Sequence, residues 1–362
     1  MPEPTDLSAA VALVAGASRG VGRGVALALG EAGATVVVTG RTLKRHRRRD
    51  VRGSIDETAS EVTRLGGRGV AVQTDHTRVE DVRALVDGVR QREGRLDVLV
   101  HAVWGGHEVE AAGGPLWEQP LALWDATMRA GVWAALLTAR YAAPLLIETA
   151  DRAARTPLVA TISPHARGAA RLYDGLAGAA LDHLAAGLAQ DLKPHGVASV
   201  AVVPGTVRTE RVLDAFGTSE RRWARVPELA GSESPRYAGR AVAALAADPA
   251  VFTRTGERLL VGDLARAYGF TDTDGSRPAP VRRSEAPAGP GDGGCRPPKG
   301  EGLPPPRRRG GRGGRTVSPL SEPRRRRGGA RPACTGGSSA PRPSRPAPRP
   351  SAGPRWPCRC SS

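Results

Sequence analysis

Apolar positions along the first three quarters of this chain follow two alternating periods. Short, continuous apolar runs, of a length suited to strands buried on both faces, stand at Val11–Ala15, Val36–Val38, Val70–Val72, Leu96–Val100, Leu158–Ile162, Ser199–Val203 and Arg258–Val261. Between them, apolar residues recur every three to four positions, the spacing of a helix face. The first such stretch runs from Gly22 through Val25 and Leu29. Others follow at Ile55–Leu65, Val79–Val89, Leu121–Ile147, Leu176–Leu192 and Tyr237–Ala246. Alternation of this kind predicts an α/β fold, a doubly wound parallel sheet of seven strands (a Rossmann fold) with helices on both faces. About 276 residues suffice to bury its core as one domain, residues 1–276. The segment Arg41–Gly53 has neither period and contains Lys44-Arg45-His46-Arg47-Arg48-Arg49.

The turn between the first strand and the first helix reads Gly16-Ala17-Ser18-Arg19-Gly20-Val21-Gly22. Strand, glycine turn and helix in that order present backbone N–H groups, at a positive helix end, to a pyrophosphate. Taken alone, such a turn is also an ordinary tight connection. The end of the second strand bears on cofactor type. Dinucleotide folds that take NAD place an acid there for the ribose 2′-hydroxyl, whereas this chain has Thr39-Gly40-Arg41. Arg41 and Arg19 together suit a 2′-phosphate, which guanidinium groups bind bidentately, so NADP is expected ahead of NAD. Solvated surface arginines are the plain alternative.

Charge divides the chain. From Arg277 to Ser362 there are 20 basic and 4 acidic residues; the first 276 residues carry 33 and 32, so nearly all of the net +17 belongs to the tail. All four cysteines (Cys295, Cys334, Cys358, Cys360) and 19 prolines lie there too. The folded part therefore has no thiol for a disulfide, a metal or a nucleophile, and no metal site is expected. The tail is expected to be disordered, because it holds too little apolar surface to offset chain entropy. Three readings of it stand: a solvated tail, a nucleic-acid contact through Arg309–Arg315, or a GC-rich gene read out of frame. Pro-Glu-Pro-Thr-Asp at the N-terminus is unlike a basic secretory leader, and Leu7–Ser18 is too short to span a bilayer. A cytoplasmic protein with no membrane contact is the expectation.

Several motifs together resemble the short-chain dehydrogenase/reductase family, in the branch typified by dehydrogenase/reductase member 1 and its bacterial relatives. They are Gly16-x-x-x-Gly20-x-Gly22, His101-Ala102-Val103-Trp104-Gly105-Gly106, Trp117-Glu118-Gln119-Pro120 with Trp124-Asp125, Lys193-Pro194-His195-Gly196-Val197, Pro204-Gly205-Thr206-Val207-Arg208-Thr209, and Asp263 to Gly269. The resemblance implies strand order 3-2-1-4-5-6-7 and hydride transfer between NAD(P)(H) and a small carbonyl or alcohol substrate. It implies a homodimer or homotetramer built on the Leu121–Ile147 and Leu176–Leu192 helices. By the same resemblance Pro204, Gly205, Val207 and Thr209 hold the nicotinamide carboxamide, and His101 stands where the family has an Asn tying strands together. Asp75 stands where the family holds the adenine, though a loop Asp capping the next helix reads equally well. Trp104, His107, Trp117 and the segment 212–227, a lid in relatives, would border the substrate.

The family's chemistry uses a Tyr as proton donor, a Lys that lowers the Tyr pKa, a Ser that holds the substrate oxygen, and an Asn on the long fourth helix. Ser163 follows the fifth strand and fits the Ser. Tyr173 is the candidate donor, but its partner position is Ala177; counting back from Lys193-Pro194-His195-Gly196 instead puts Asp174 and Gly178 there. Neither register supplies the lysine, and the Asn position is Gly131. His165, Arg167, Arg171 and His183 are candidate replacements. Two readings follow: a weakened carbonyl reductase or alcohol dehydrogenase using Ser163 and Tyr173, or a non-catalytic NADP(H)-binding sensor or scaffold.

Overall fold

A computed structural model describes residues 6–46, 52–106, 115–152, 155–164 and 172–280. Strands β1 (Val11–Ala15), β2 (Thr35–Gly40), β3 (Arg68–Gln73), β4 (Val98–His101), β5 (Leu158–Ile162), β6 (Ala198–Val203) and β7 (Arg258–Leu260) form one sheet in the order 3-2-1-4-5-6-7. Every neighbouring pair is parallel. The doubly wound fold expected from the apolar pattern is the fold observed.

Helices α1 (Gly20–Glu31), α2 (Ile55–Arg64), α3 (Val79–Glu93), α4 (Leu121–Thr127), α5 (Ala134–Ala150), α6 (Leu172–Leu192), α7 (Glu210–Ala215), α8 (Pro235–Ala247) and α9 (Val261–Tyr268) complete it. Successive strand residues face opposite layers. Ala12, Val14, Val36, Val38, Val98, Val100 and Val200 pack with Val25 and Leu29 of α1 and with Val242 and Leu245 of α8. The alternate positions Leu13, Val37, Val72, Leu99 and Val159 pack with Leu85 and Val89 of α3 and with Leu145 and Leu146 of α5. Each fully buried aliphatic side chain contributes roughly 1.5–3 kcal/mol, so two such layers fix the strand register.

Three local features differ from the sequence expectation. The stretch 121–147 is not one helix: a wide π turn, Met128–Trp133, separates α4 from α5. Its Gly131 lies under the Trp104 ring, 3.3 Å from where a β-carbon would stand. Helix α6 begins at Leu172, which puts Tyr173 inside its first turn. Helices α7 and α9 carry too short a pattern to show in sequence. The cationic run's Arg47–Arg49, and His107, His165, Arg167, Arg171 and the tail from residue 281, lie outside the described residues.

Candidate active site and cofactor cleft

The order of the sheet reverses at β1, which lies between β2 and β4. A crevice forms at the carboxyl ends of strands at such a point. The glycine turn closes it. Gly16 has φ +83°, and a β-carbon on it would stand 2.7 Å from the Ala102 carbonyl oxygen. On Gly22 it would stand 2.2 Å from the Gly16 carbonyl oxygen. Side chains are excluded at both positions, so the turn packs backbone against backbone on Ala102 and on the first turn of α1. Helix α1 has no side-chain cap from Arg19 and no acid in its first turn, so its own sequence leaves the first N–H groups open.

Around this turn the structure gathers most of the sequence candidates. Ser18 lies against Gly40 at the end of β2, and Val21 packs on the core. Arg19 donates through Nη2 to Thr42 Oγ1 at 3.0 Å, which places it one residue from exposed Arg41. Thr209 reaches the turn from the other side, with its methyl 3.6 Å from the β-carbon position of Gly20. Its hydroxyl accepts from the Val212 N–H at 3.4 Å and so caps α7. Asp75 is engaged locally, accepting from Thr77 N (3.0 Å) and Thr77 Oγ1 (2.7 Å). Burial pushes its carboxyl up, but the Thr77 hydrogen bonds and the charge of Arg41 together hold it below the usual range.

Two buried histidines lie beneath the cleft. His76 bridges Thr39 Oγ1 (2.7 Å) and Thr138 Oγ1 (2.9 Å), tying β2 to α5, and burial pushes its pKa down to about 4. His101 ends β4, in register with Ala15 and with Thr161. Burial, with the nearby His76, pushes it down to about 3, and neither ring nitrogen finds a partner among the described residues. Both are neutral at physiological pH.

The catalytic candidates sit at the end of β5 and on α6. Ser163 is fully buried, and its hydroxyl donates to the Gly178 carbonyl at 3.3 Å. A β-carbon on Gly178 would stand 3.3 Å from the Pro164 carbonyl oxygen, so a long side chain enters there only if Pro164 yields. Tyr173 is buried, with its ring edge-on to Trp124 at 5.6 Å. No Lys or Arg among the described residues hydrogen-bonds to it. His183 is exposed on α6. Trp104 roofs Gly131, the Asn position, and Trp117 is 84% exposed.

Beyond Pro204 and Gly205 the chain runs into a buried ionic hub that the sequence did not signal. Val207 bridges Glu233, and Arg208 is 1% exposed. The Arg208 guanidinium donates to Glu220 Oε1 (3.0 Å) and the Ser232 carbonyl (2.7 Å), pairs with Asp272 Oδ2 at 3.2 Å, and lies 4.2 Å over the Trp223 ring. It thus joins the segment after β6, the 212–227 segment and the chain beyond α9. Burial pushes the neighbouring Glu233 carboxyl up to about 7, with Asp272 adding to it against the opposing pulls of the Gly205 N–H and Arg208.

Comparisons with known proteins agree with this architecture. Residues 16–262 match the family described as Enoyl-(Acyl carrier protein) reductase. The chain is 36% identical over 276 residues to dehydrogenase/reductase SDR family member 1 of Mus musculus, covering 73% of this chain and 83% of that protein. Its Homo sapiens counterpart is 35% identical over 274 residues, with the same coverage. A short-chain dehydrogenase structure from Mycobacterium thermoresistibile superposes with a TM-score of 0.63 at 23% identity, covering 78% of this chain and 98% of that one.

Proposed function

This chain belongs to the short-chain dehydrogenase/reductase family of oxidoreductases, and from that premise we propose that it binds NADP(H) and reduces a small carbonyl compound, or oxidises the corresponding alcohol. One observation carries the reading. A turn in which Gly16 and Gly22 admit no β-carbon, an α1 N-terminus without a cap of its own, and Arg19 beside Arg41 converge at the point where the strand order reverses. The backbone of Gly16–Gly22 would hold the pyrophosphate, the two arginines a 2′-phosphate, and the segment Pro204–Thr209 the nicotinamide end. Bound NADPH supplies the hydride. The chain's own part is to hold the substrate oxygen and deliver a proton to it, with Ser163 Oγ as the holding group and Tyr173 Oη as the donor.

A second reading, a non-catalytic NADP(H)-binding protein, is favoured by specific packing. Ser163 spends its proton on Gly178, and Pro164 crowds Gly178, the lysine position of the register that starts from Asp174. The Tyr173 register has the fully buried Ala177 there, and Trp104 fills the space above Gly131. Losing a positioned acid–base group costs about 10²–10⁴ in rate, so any activity is expected to be slow.

NADPH oxidation over a panel of aldehydes and ketones, alongside NADPH and NADH binding, tests both. The proposal expects NADPH to bind more tightly than NADH, with the preference reduced about tenfold by Arg41→Ala. Slow turnover should fall at least about 100-fold in Tyr173→Phe. Tight binding without turnover leaves the second reading; no binding of either dinucleotide ends both.

Self-association belongs to the same proposal. Leu136 on α5 and Leu172 and Leu176 on α6 are exposed, an apolar face suited to a second copy of the chain. Sedimentation velocity at micromolar concentration should give a dimer or a tetramer; a monomer would overturn this.

A further inference from the structure

The first backbone N–H of α1 already has an anionic partner. Gly20 N donates to Glu210 Oε2 at 2.8 Å, across 190 residues of chain. Glu210 is the first residue of α7, directly after Thr209, whose methyl lies over the same glycine. Further along α7, Asp214 pairs with Arg52 at 3.0 Å. The loop that carries Arg52 abuts the turn, because a β-carbon on the adjacent Gly53 would stand 2.2 Å from the Ser18 carbonyl oxygen. Helix α7 is therefore fastened near both ends, to the glycine turn through Glu210 and to the adjoining loop through Asp214.

We propose that Glu210 competes with the phosphates of the dinucleotide for the N-terminus of α1, and that α7 is a strap which the cofactor must lift. This rests on the reading of the cleft as a dinucleotide site. A carboxylate at a helix N-terminus satisfies an open N–H and opposes the positive end of the dipole, the same two services a phosphate oxygen receives there. Two anions cannot share that N–H, and a carboxylate left beside a pyrophosphate repels it. Ligand affinity is then set by the cleft minus the cost of displacing Glu210. The Asp214–Arg52 pair is exposed on both sides and holds the strap only weakly.

NADPH titrated into the full-length protein tests this, using Glu210→Gln, Glu210→Ala and, as a control, the exposed Glu228→Gln, with hydrogen exchange of the peptide covering 16–22 measured before ligand is added. The strap predicts that both Glu210 variants bind NADPH about tenfold more tightly than wild type, and that Glu228→Gln stays within about twofold. It also predicts faster exchange of the Gly20 amide in Glu210→Ala, at an unchanged melting temperature. Equal or weaker NADPH binding by both Glu210 variants overturns it. If neither wild type nor variants bind NADPH, the cofactor reading falls. The strap is then judged on exchange alone: an unchanged Gly20 rate in Glu210→Ala ends it, and a faster one upholds Glu210 as the occupant of the α1 N-terminus.

Discussion

Arg208→Met should lower the unfolding free energy by about 3–5 kcal/mol, because it leaves Asp272 as a buried charge without its partner. Asp272 is fully buried, and it also accepts from Ser234 N at 2.8 Å and from the Ser234 hydroxyl, so it cannot swing out to water without breaking both bonds to Ser234, the N-cap of α8. The same substitution frees Glu220 and Trp223, which the guanidinium holds from the lid side. Two effects should therefore appear together: a midpoint of thermal unfolding lower by about 10 °C, and faster proteolysis of the 212–227 segment below that midpoint. Arg208→Lys should recover only part of the loss, since an ammonium cannot serve Glu220, the Ser232 carbonyl and Asp272 in one plane. Denaturation of the three proteins in guanidinium chloride decides the matter; a midpoint in Arg208→Met equal to wild type would show that the hub contributes nothing to stability.

Mild acid should destabilise the fold through its two buried histidines, against a smaller opposing gain from the buried Glu233 carboxyl, which is pushed up to about 7. His76 and His101 have folded pKa values of about 4 and about 3, both below the ordinary 6.5. The sign follows from linkage. Between those values and 6.5 the unfolded chain binds protons that the folded chain refuses, so stability is complete above pH 6.5 and is lost as pH falls toward 4. The two imidazoles together cost roughly 3 kcal/mol per pH unit below about pH 6, half from each. Glu233, protonated in the folded chain down to its ordinary 4.5 but not in the unfolded one, returns about half of that, for a net loss of roughly 1 kcal/mol per pH unit. His101→Asn removes one of the two histidines and leaves the other offset by Glu233, so the net slope should fall close to zero. Urea unfolding at pH 7, 6, 5 and 4.5 measures it. A slope in His101→Asn equal to that of wild type would mean that this ring can be protonated in place, and would dismiss the burial argument.

These two predictions concern groups that the sequence treats very differently. His101 was visible as a departure from a family motif, but nothing in a linear sequence says that its ring is buried, on a strand flanked by Ala15 and Thr161, with no hydrogen-bond partner among the described residues. Arg208 was visible only as the variable residue inside Val207-Arg208-Thr209. Its partners Glu220, Ser232 and Asp272 are 12, 24 and 64 positions away, beyond the reach of any local pattern.

The parallel sheet and the glycine turn were legible because the forces that make them are local or periodic, whereas the strand order came from the family resemblance. A buried parallel strand needs a continuous apolar run, a helix on its face needs a 3.6-residue period, and a chain that passes backbone against backbone needs Gly16 and Gly22. The amino-acid order therefore determined the fold and the location of the cleft, and the absence of a lysine from the Tyr173 register. What only the tertiary structure decided is what fills the spaces that side chains leave: Pro164 over Gly178, Trp104 over Gly131, and the Glu210 carboxylate on the α1 N-terminus. Those contacts join residues far apart in the chain. Their energies depend on burial and distance, and both come into being only when the sheet has brought its strand ends together.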